Sequence, residues 1–276
     1  VKQAAVSIHP AAVVSPRAEL DTGVEVGPYA VIGPHVRIGK YTWVGPHAVI
    51  EGHTTIGCEN RIFQFASVGA IPQDKKYRGE KSVLIIGDRN VIREFATLHP
   101  GTAGGGAVTR VGNDNLFMAY SHVAHDCFIG NSVVMANCAT LGGHVVVEDY
   151  VGIGGLVGIH QFVRIGESAY LGGGSMVSQD VPPYCLVNGN RAHLLGLNVV
   201  GLRRRGFTTE QLTALKRAYR TLFSEGLSLK DALAKLQDES PLSPEVAHLL
   251  EFIAVSQRGI CRPRGDALLE SEEREE

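Results

Sequence analysis

The sequence lacks any excess of positive charge. Lysine and arginine total 26 against 28 acids, a formal net charge of −2, which leaves no electrostatic footprint for a nucleic-acid partner. It also lacks long apolar runs: none approaches the roughly 18 residues that a membrane span needs. Val1-Lys2-Gln3-Ala4 opens no apolar signal segment. The five cysteines are odd in number, scattered and without a C-x-x-C pair. That argues against a disulfide framework and a cysteine zinc site, and it fits a reducing cytoplasm. What the chain holds in plenty is glycine, 33 of 276 residues, about 12% against a usual ~7%. These glycines show no every-third-residue period, so a collagen helix is excluded. A hydrophobic fraction of 44% and a mean hydropathy of +0.05 exclude wholesale disorder. The negative charge is concentrated: residues 266–276 hold six acids and one arginine, so the rest of the chain is net positive.

A six-residue repeat explains the glycine. Every sixth residue from Ile8 to Val68 is aliphatic, and every sixth from Val111 to Val177 is apolar. The next residue is often small, as at Gly27, Gly33, Gly39, Gly130, Gly142 and Gly154. A period of six fits neither the helical period of about 3.6 nor the strand period of about 2. It fits a short strand and a turn, repeated three times per coil. The repeated aliphatic points inward, and the small residue is expected at the bend, where the backbone takes unusual angles. Coils then stack by parallel pairing at ~4.8 Å. The result is a hexapeptide β-helix, in which a coil is stable only against its neighbours.

The phase also locates interruptions. Residues 71–82 and 99–109 leave the repeat and read as loop excursions, the segments of a solenoid most free to carry function. The repeat ends near Gln179-Asp180-Val181-Pro182-Pro183. Helix starts follow at Thr208-Thr209-Glu210-Gln211, at Ser228 and at Ser243-Pro244. The expected organisation is mainly β: a β-helix over 1–190, a small α-helical domain over 191–262, and an acidic, disordered tail over 263–276.

Positions eighteen apart, such as His125, Gly143 and Gln161, fall above one another in this fold. His122, His144 and His160 flank them, so six residues converge on one edge over about 10 Å. Three readings compete. The residues could be a polar ladder of satisfied histidines. They could bind a metal, as in the gamma carbonic anhydrases, where three histidines hold zinc in a β-helix trimer. Or one imidazole could be a general base. Asp126, next to His125, could orient an imidazole, although adjacent residues can instead face apart, and Gly143 leaves a backbone N–H accessible as an oxyanion donor. His99 is ambiguous. His9, His35, His47, His53, His193 and His248 carry no functional expectation, and Trp43 reads as packing.

Ordered motifs then narrow the choice. Gln64-Phe65-Ala66-Ser67, Ile86-Gly87-Asp88-Arg89-Asn90, His122-Val123-Ala124-His125-Asp126-Cys127, His160-Gln161-Phe162 and Gly201-Leu202-Arg203-Arg204-Arg205-Gly206-Phe207 resemble the UDP-N-acetylglucosamine O-acyltransferases of lipid A biosynthesis. The likeness covers nearly the whole chain, both excursions included. It implies a left-handed β-helix, a homotrimer with active sites between subunits, and acyl transfer from acyl carrier protein to UDP-N-acetylglucosamine. No cofactor and no metal are implied beyond the phosphopantetheine of the carrier.

By the same resemblance His125 is the base, Asp126 its partner and Gly143 the oxyanion donor. Asp74, Lys76, His122, His144, His160 and Gln161 hold sugar, diphosphate or pantetheine. Asn198 and Arg204 hold the nucleotide or carrier arm, and Gly173 limits acyl length. Arg203-Arg204-Arg205 suits the acidic carrier protein. The chain departs from the family pattern at Pro100, Arg191 and Val200. An N-acyltransferase acting on a 3-amino sugar nucleotide, or a sister β-helix acyltransferase, is the nearest alternative; a zinc hydratase of the gamma carbonic anhydrase type and a non-catalytic trimeric scaffold are remote ones.

Overall fold

The computed structural model describes residues 5–239 and 241–264. Most strands are two residues long, and they form sheets of 11, 9 and 8 strands. Successive strands enter successive sheets. Ser7–Ile8 joins the 11-stranded sheet, Val13–Val14 the 9-stranded sheet and Glu19–Leu20 the 8-stranded sheet, and Glu25–Val26 returns beside the first. The chain therefore winds as a three-sided, left-handed parallel β-helix. A turn of the coil takes 18 residues from Asn115 to Val133, but 30 from Asn60 to Asn90 and 25 from Asn90 to Asn115. The surplus is the two excursions, which lie between Val68 and Val83 and between Leu98 and Val108.

Packing, more than pairing, stabilises these coils. Ile50, Ile62, Val68, Leu98 and Val123 are all 0% exposed. Full burial of such a side chain is worth about 1.5–3 kcal/mol, whereas a backbone hydrogen bond nets about 1 kcal/mol. A two-residue strand makes too few bonds to fix its own register, so the aliphatic column does it. One corner adds a buried amide ladder, in which Asn60 Oδ1 accepts from Asn90 N and Asn90 Oδ1 from Asn115 N.

The glycines serve a different purpose from the expected one. Gly27, Gly39 and Gly142, each just after an inward residue, do not take left-handed angles. They are small because the next coil is close: a Cβ on Gly39 would lie 2.6 Å from the carbonyl carbon of Gly57. The left-handed angle falls two residues later, on non-glycine residues such as Tyr29, Phe65, Tyr120 and His144. At one corner these side chains stack outward, with ring centroids 5.0 Å apart for Phe65 and Phe95 and 4.8 Å apart for Phe95 and Tyr120.

Strands continue past residue 190. Cys185–Asn188 and His193–Leu197 form an antiparallel hairpin on the 11-stranded sheet. Helices α1 (Val199–Arg204), α2 (Thr209–Phe223), α3 (Leu229–Gln237) and α4 (Pro244–Ala254) follow. Thr208 and Gln211 form the capping box of α2, while Ser228 and Ser243 cap α3 and α4. The helices pack through Leu202, Leu215, Leu249 and Ile253. They are tied to the β-helix by Asp180, which donates to Gly259 O and accepts from Cys261 N. Pro263 bridges to Leu194, so the expected tail begins against the sheet. Residues 265–276 lie outside the described residues. Among the described residues no helix is long and apolar enough to cross a membrane.

Candidate active site

One corner of the prism, between the 9-stranded and 8-stranded sheets, gathers most of the expected site. Both excursions leave the coil there, and so do the turns bearing His125, Gly143 and Gln161. His122 lies in the strand His122–Val123 that leads into the first of these turns. Asp126 and His144 hold the left-handed position of their turns, at φ of 59° and 62°. That angle turns the Asp126 carboxylate back onto its neighbour, so the adjacent pair does not face apart.

The central contact is His125 Nδ1 to Asp126 Oδ2, 2.8 Å. A carboxylate only accepts, so Nδ1 is the donor and Nε2 keeps a free lone pair. Asp126 is 2% exposed. Its Oδ1 accepts from Thr102 N at 2.9 Å and its Oδ2 from Thr102 Oγ1 at 2.7 Å. Asp74, on the first excursion, stands 3.9 Å from His125 Nε2 and accepts from Lys76 N at 2.9 Å. Gly143 lies directly against the ring: a Cβ there would be 2.5 Å from His125 Cε1. Among the described residues the Gly143 N–H meets no backbone acceptor, whereas its carbonyl accepts from Phe162 N.

The neighbouring histidines are neutral supports. Burial holds the His144 imidazole below its ordinary value, against the pull of Asp126, and its ring stacks on Phe162 at 4.3 Å. His122 meets Thr97 Oγ1 at 2.7 Å, and burial, with His99 and His125 nearby, holds it down at about 4. The folded protein thus binds fewer protons than the unfolded chain between pH 6.5 and about 4, and stability falls as pH drops through that window. His248 acts oppositely. Its bond to Glu148 raises it, so its contribution is full at low pH and is lost as pH rises through the raised value. The melting temperature of wild type is expected to fall more steeply than that of His122→Gln between pH 6.5 and 4; parallel curves would remove His122 as the cause.

His125, Asp126 and His144 bring donor atoms within 4.8 Å of one another, a spacing a metal ion could use. The Asp126 oxygens, however, already accept from Thr102 and His125. The carboxylate of this set is therefore committed to hydrogen bonds, and the closest contact within the set is the imidazole–carboxylate pair of His125 and Asp126.

Other expected residues lie elsewhere. His160 and Gln161 are exposed higher on the same corner. His160 lines a cleft of about 1630 Å3 together with Arg191, His193, Arg258, Arg262 and Arg264, and among the described residues no Asp or Glu lines it. Gly173 is at the corner between the 11-stranded and 9-stranded sheets. Asn198 and Arg204 are at the third corner. There Asn198 caps α1 and donates to Ser168 O at 2.9 Å. Arg205 is tied to Glu167 at 2.8 Å, while Arg203 and Arg204 are exposed in the last turn of α1.

Two residues at the centre carry no sequence signal of their own. His99, 4% exposed, donates from Nδ1 to the carbonyls of Ala70 and Ile71, each at 3.0 Å, and so anchors the excursion that bears Asp74. Thr102 sits inside the second excursion, where the hexapeptide phase is lost. Trp43 packs edge-on against Phe63.

The family profile described as Udp N-acetylglucosamine O-acyltransferase; Domain 2 matches residues 180–261. The acyl-[acyl-carrier-protein]–UDP-N-acetylglucosamine O-acyltransferase of Trichlorobacter lovleyi is 60% identical over 259 residues, covering 93% of this chain and 99% of its own length. That of Janthinobacterium sp. (strain Marseille) is 55% identical over 259 residues, covering 92% and 99%. The crystal structure of the Francisella novicida UDP-N-acetylglucosamine acyltransferase superposes with a TM-score of 0.91 at 40% identity, covering 94% of this chain and 95% of that one. With its hexapeptide coils, its two excursions and its histidine corner, the chain belongs to the acyl-[acyl-carrier-protein]–UDP-N-acetylglucosamine O-acyltransferase family.

Proposed function

We propose that this protein transfers an (R)-3-hydroxyacyl group from acyl carrier protein to the 3-hydroxyl of UDP-N-acetylglucosamine, the first step of lipid A biosynthesis. The observation that carries the reading is the pairing of His125 Nδ1 with a buried carboxylate, 2.8 Å away, in a member of this family. Nε2 takes the proton of the sugar hydroxyl as that oxygen attacks the thioester carbonyl. The Gly143 N–H receives the oxyanion of the tetrahedral intermediate. Collapse breaks the carbon–sulfur bond, and the His125 imidazolium returns its proton to the pantetheine thiolate. The sugar oxygen is itself the nucleophile, so no covalent enzyme intermediate and no resident cofactor are needed.

Asp74 and His144 flank the attacked hydroxyl, and Lys76 and His122 support the sugar side. His160 and Gln161 lead into the basic cleft, which suits the phosphate-bearing arm of the carrier. Arg203 and Arg204 suit the carrier's acidic surface. Gly173, Asn198 and Arg204 are on other corners of the prism, so one chain cannot bring them to His125. Packing of three prisms side by side can, which is the reason for proposing a homotrimer with sites between subunits. Gly173 leaves room for a long acyl chain, since a Cβ there would meet only the backbone of Gly155, its O at 3.3 Å and its N at 3.8 Å. The cytoplasm, where carrier protein and sugar nucleotide meet, is the proposed compartment.

The test is turnover with (R)-3-hydroxyacyl carrier proteins of several lengths and either UDP-N-acetylglucosamine or its 3-amino analogue, with products identified by mass spectrometry. Ester product is expected. Amide product alone would transfer the protein to the amino-sugar reading.

A further inference from the structure

We propose that Thr102, on the second excursion, is the positioning residue that fixes the Asp126 carboxylate and through it the His125 ring. The inference rests on His125 acting as the base.

Thr102 is 5% exposed and gives Asp126 two bonds, N–H to Oδ1 at 2.9 Å and Oγ1–H to Oδ2 at 2.7 Å. Oδ2 is the oxygen that also accepts from His125 Nδ1. The far end of the excursion holds the same residue from behind, since Thr109 Oγ1 accepts from Asp126 N at 2.8 Å. The loop is closed on Thr102 itself, whose carbonyl accepts from Gly105 N at 3.0 Å and Ala107 N at 2.8 Å. Ala103 N donates to Glu80 Oε1 at 3.1 Å, which links this excursion to the one bearing Asp74.

The loop also closes on the carboxylate sterically. A Cβ on Gly101 would lie 2.6 Å from Asp126 Oδ1, and one on Gly105 would lie 2.1 Å from Asp126 Cγ. The excursion is therefore a cradle whose shape is that of one carboxylate in one rotamer. A carboxylate held by a single histidine can rotate about its own bond and carry the ring with it. Two donors from one residue, one per oxygen, remove that freedom. A displacement near 1 Å at a reacting group costs about 10²-fold in rate, so the hydroxyl matters although it touches no substrate.

The variants are Thr102→Val, which keeps shape and N–H but loses the hydroxyl, and Thr102→Ser, which restores it. Steady-state transfer should show kcat down about 10–100-fold in Thr102→Val, KM for both substrates within about twofold, and Ser back within about threefold of wild type. Gly105→Ala, which displaces the carboxylate from the other side, should reproduce the kcat loss at unchanged KM and carries the test if Thr102→Val does not fold. If His125→Ala loses activity while Thr102→Val or Gly105→Ala keeps the wild-type kcat, the inference is overturned. It is also overturned if Ser is as impaired as Val, since the loss then belongs to packing. If His125→Ala is fully active, the failure is in the assignment of the base.

Discussion

His125→Ala is expected to lower kcat for acyl transfer by about 10²–10⁴-fold, with KM for UDP-N-acetylglucosamine changed little. The loss falls on kcat because the imidazole acts on a proton that moves only as the carbon–oxygen bond forms. In the ground state Nε2 offers the sugar at most one hydrogen bond to a neutral hydroxyl, an interaction worth about 1 kcal/mol. Residual turnover would come from the Gly143 N–H and from holding the two substrates together. Single-turnover measurements with excess enzyme separate this chemical step from product release. A wild-type rate in the variant would keep the reaction and remove His125 from its centre. Asp126→Asn should be milder than His125→Ala, since Nε2 survives; yet it leaves Thr102 Oγ1 and His125 Nδ1 facing an amide where they now face a buried carboxylate.

The coil was legible in the sequence because its core is one-dimensional. Outside the two excursions each inward residue packs on the residue eighteen away, so the repeat of Ile, Val and Leu is the packing itself. The same arithmetic placed His125, Gly143 and Gln161 on one corner, for corners obey the repeat as strictly as cores do. Three things were hidden. The glycines were expected to take the left-handed angle, but the backbone gives that angle to Tyr29, Asp126 and His144 and uses glycine for clearance between coils; spacing alone does not separate these needs. The excursions were located by their loss of phase, yet loss of phase says nothing of where a loop folds. Thr102 and His99 therefore gave no sign that they grip Asp126 and Ala70. Helix α1 was hidden for a related reason. Its six residues, Val199–Arg204, are too few to show a 3.6-residue period, and it forms on the cap supplied by Asn198. The Asn198 side chain, expected to hold nucleotide or carrier, is engaged at both ends by Gly201 and Ser168.

Gly143→Ala should be nearly as damaging as His125→Ala, and for a reason that separates two roles of the glycine. Alanine keeps the backbone N–H, so an oxyanion donor remains. What it adds is a Cβ at 2.5 Å from His125 Cε1 and 2.7 Å from Nε2, closer than unbonded carbons approach. The ring cannot yield toward Asp126, which is walled in by Thr102 and Gly105. It must swing outward and break the bond at Nδ1. Loss of the aligned base then costs about 10²-fold or more in kcat, although the coil itself survives: the φ of Gly143 is not left-handed, so alanine fits the backbone. The decisive measurement is the double variant. If the methyl acts by displacing the ring, Gly143→Ala adds almost nothing once His125 is already alanine, and the two losses are strongly non-additive. If the two losses multiply, the methyl acts independently of the ring, by obstructing the oxyanion or the acyl chain. The clash between Gly143 and His125 would then not be what limits catalysis.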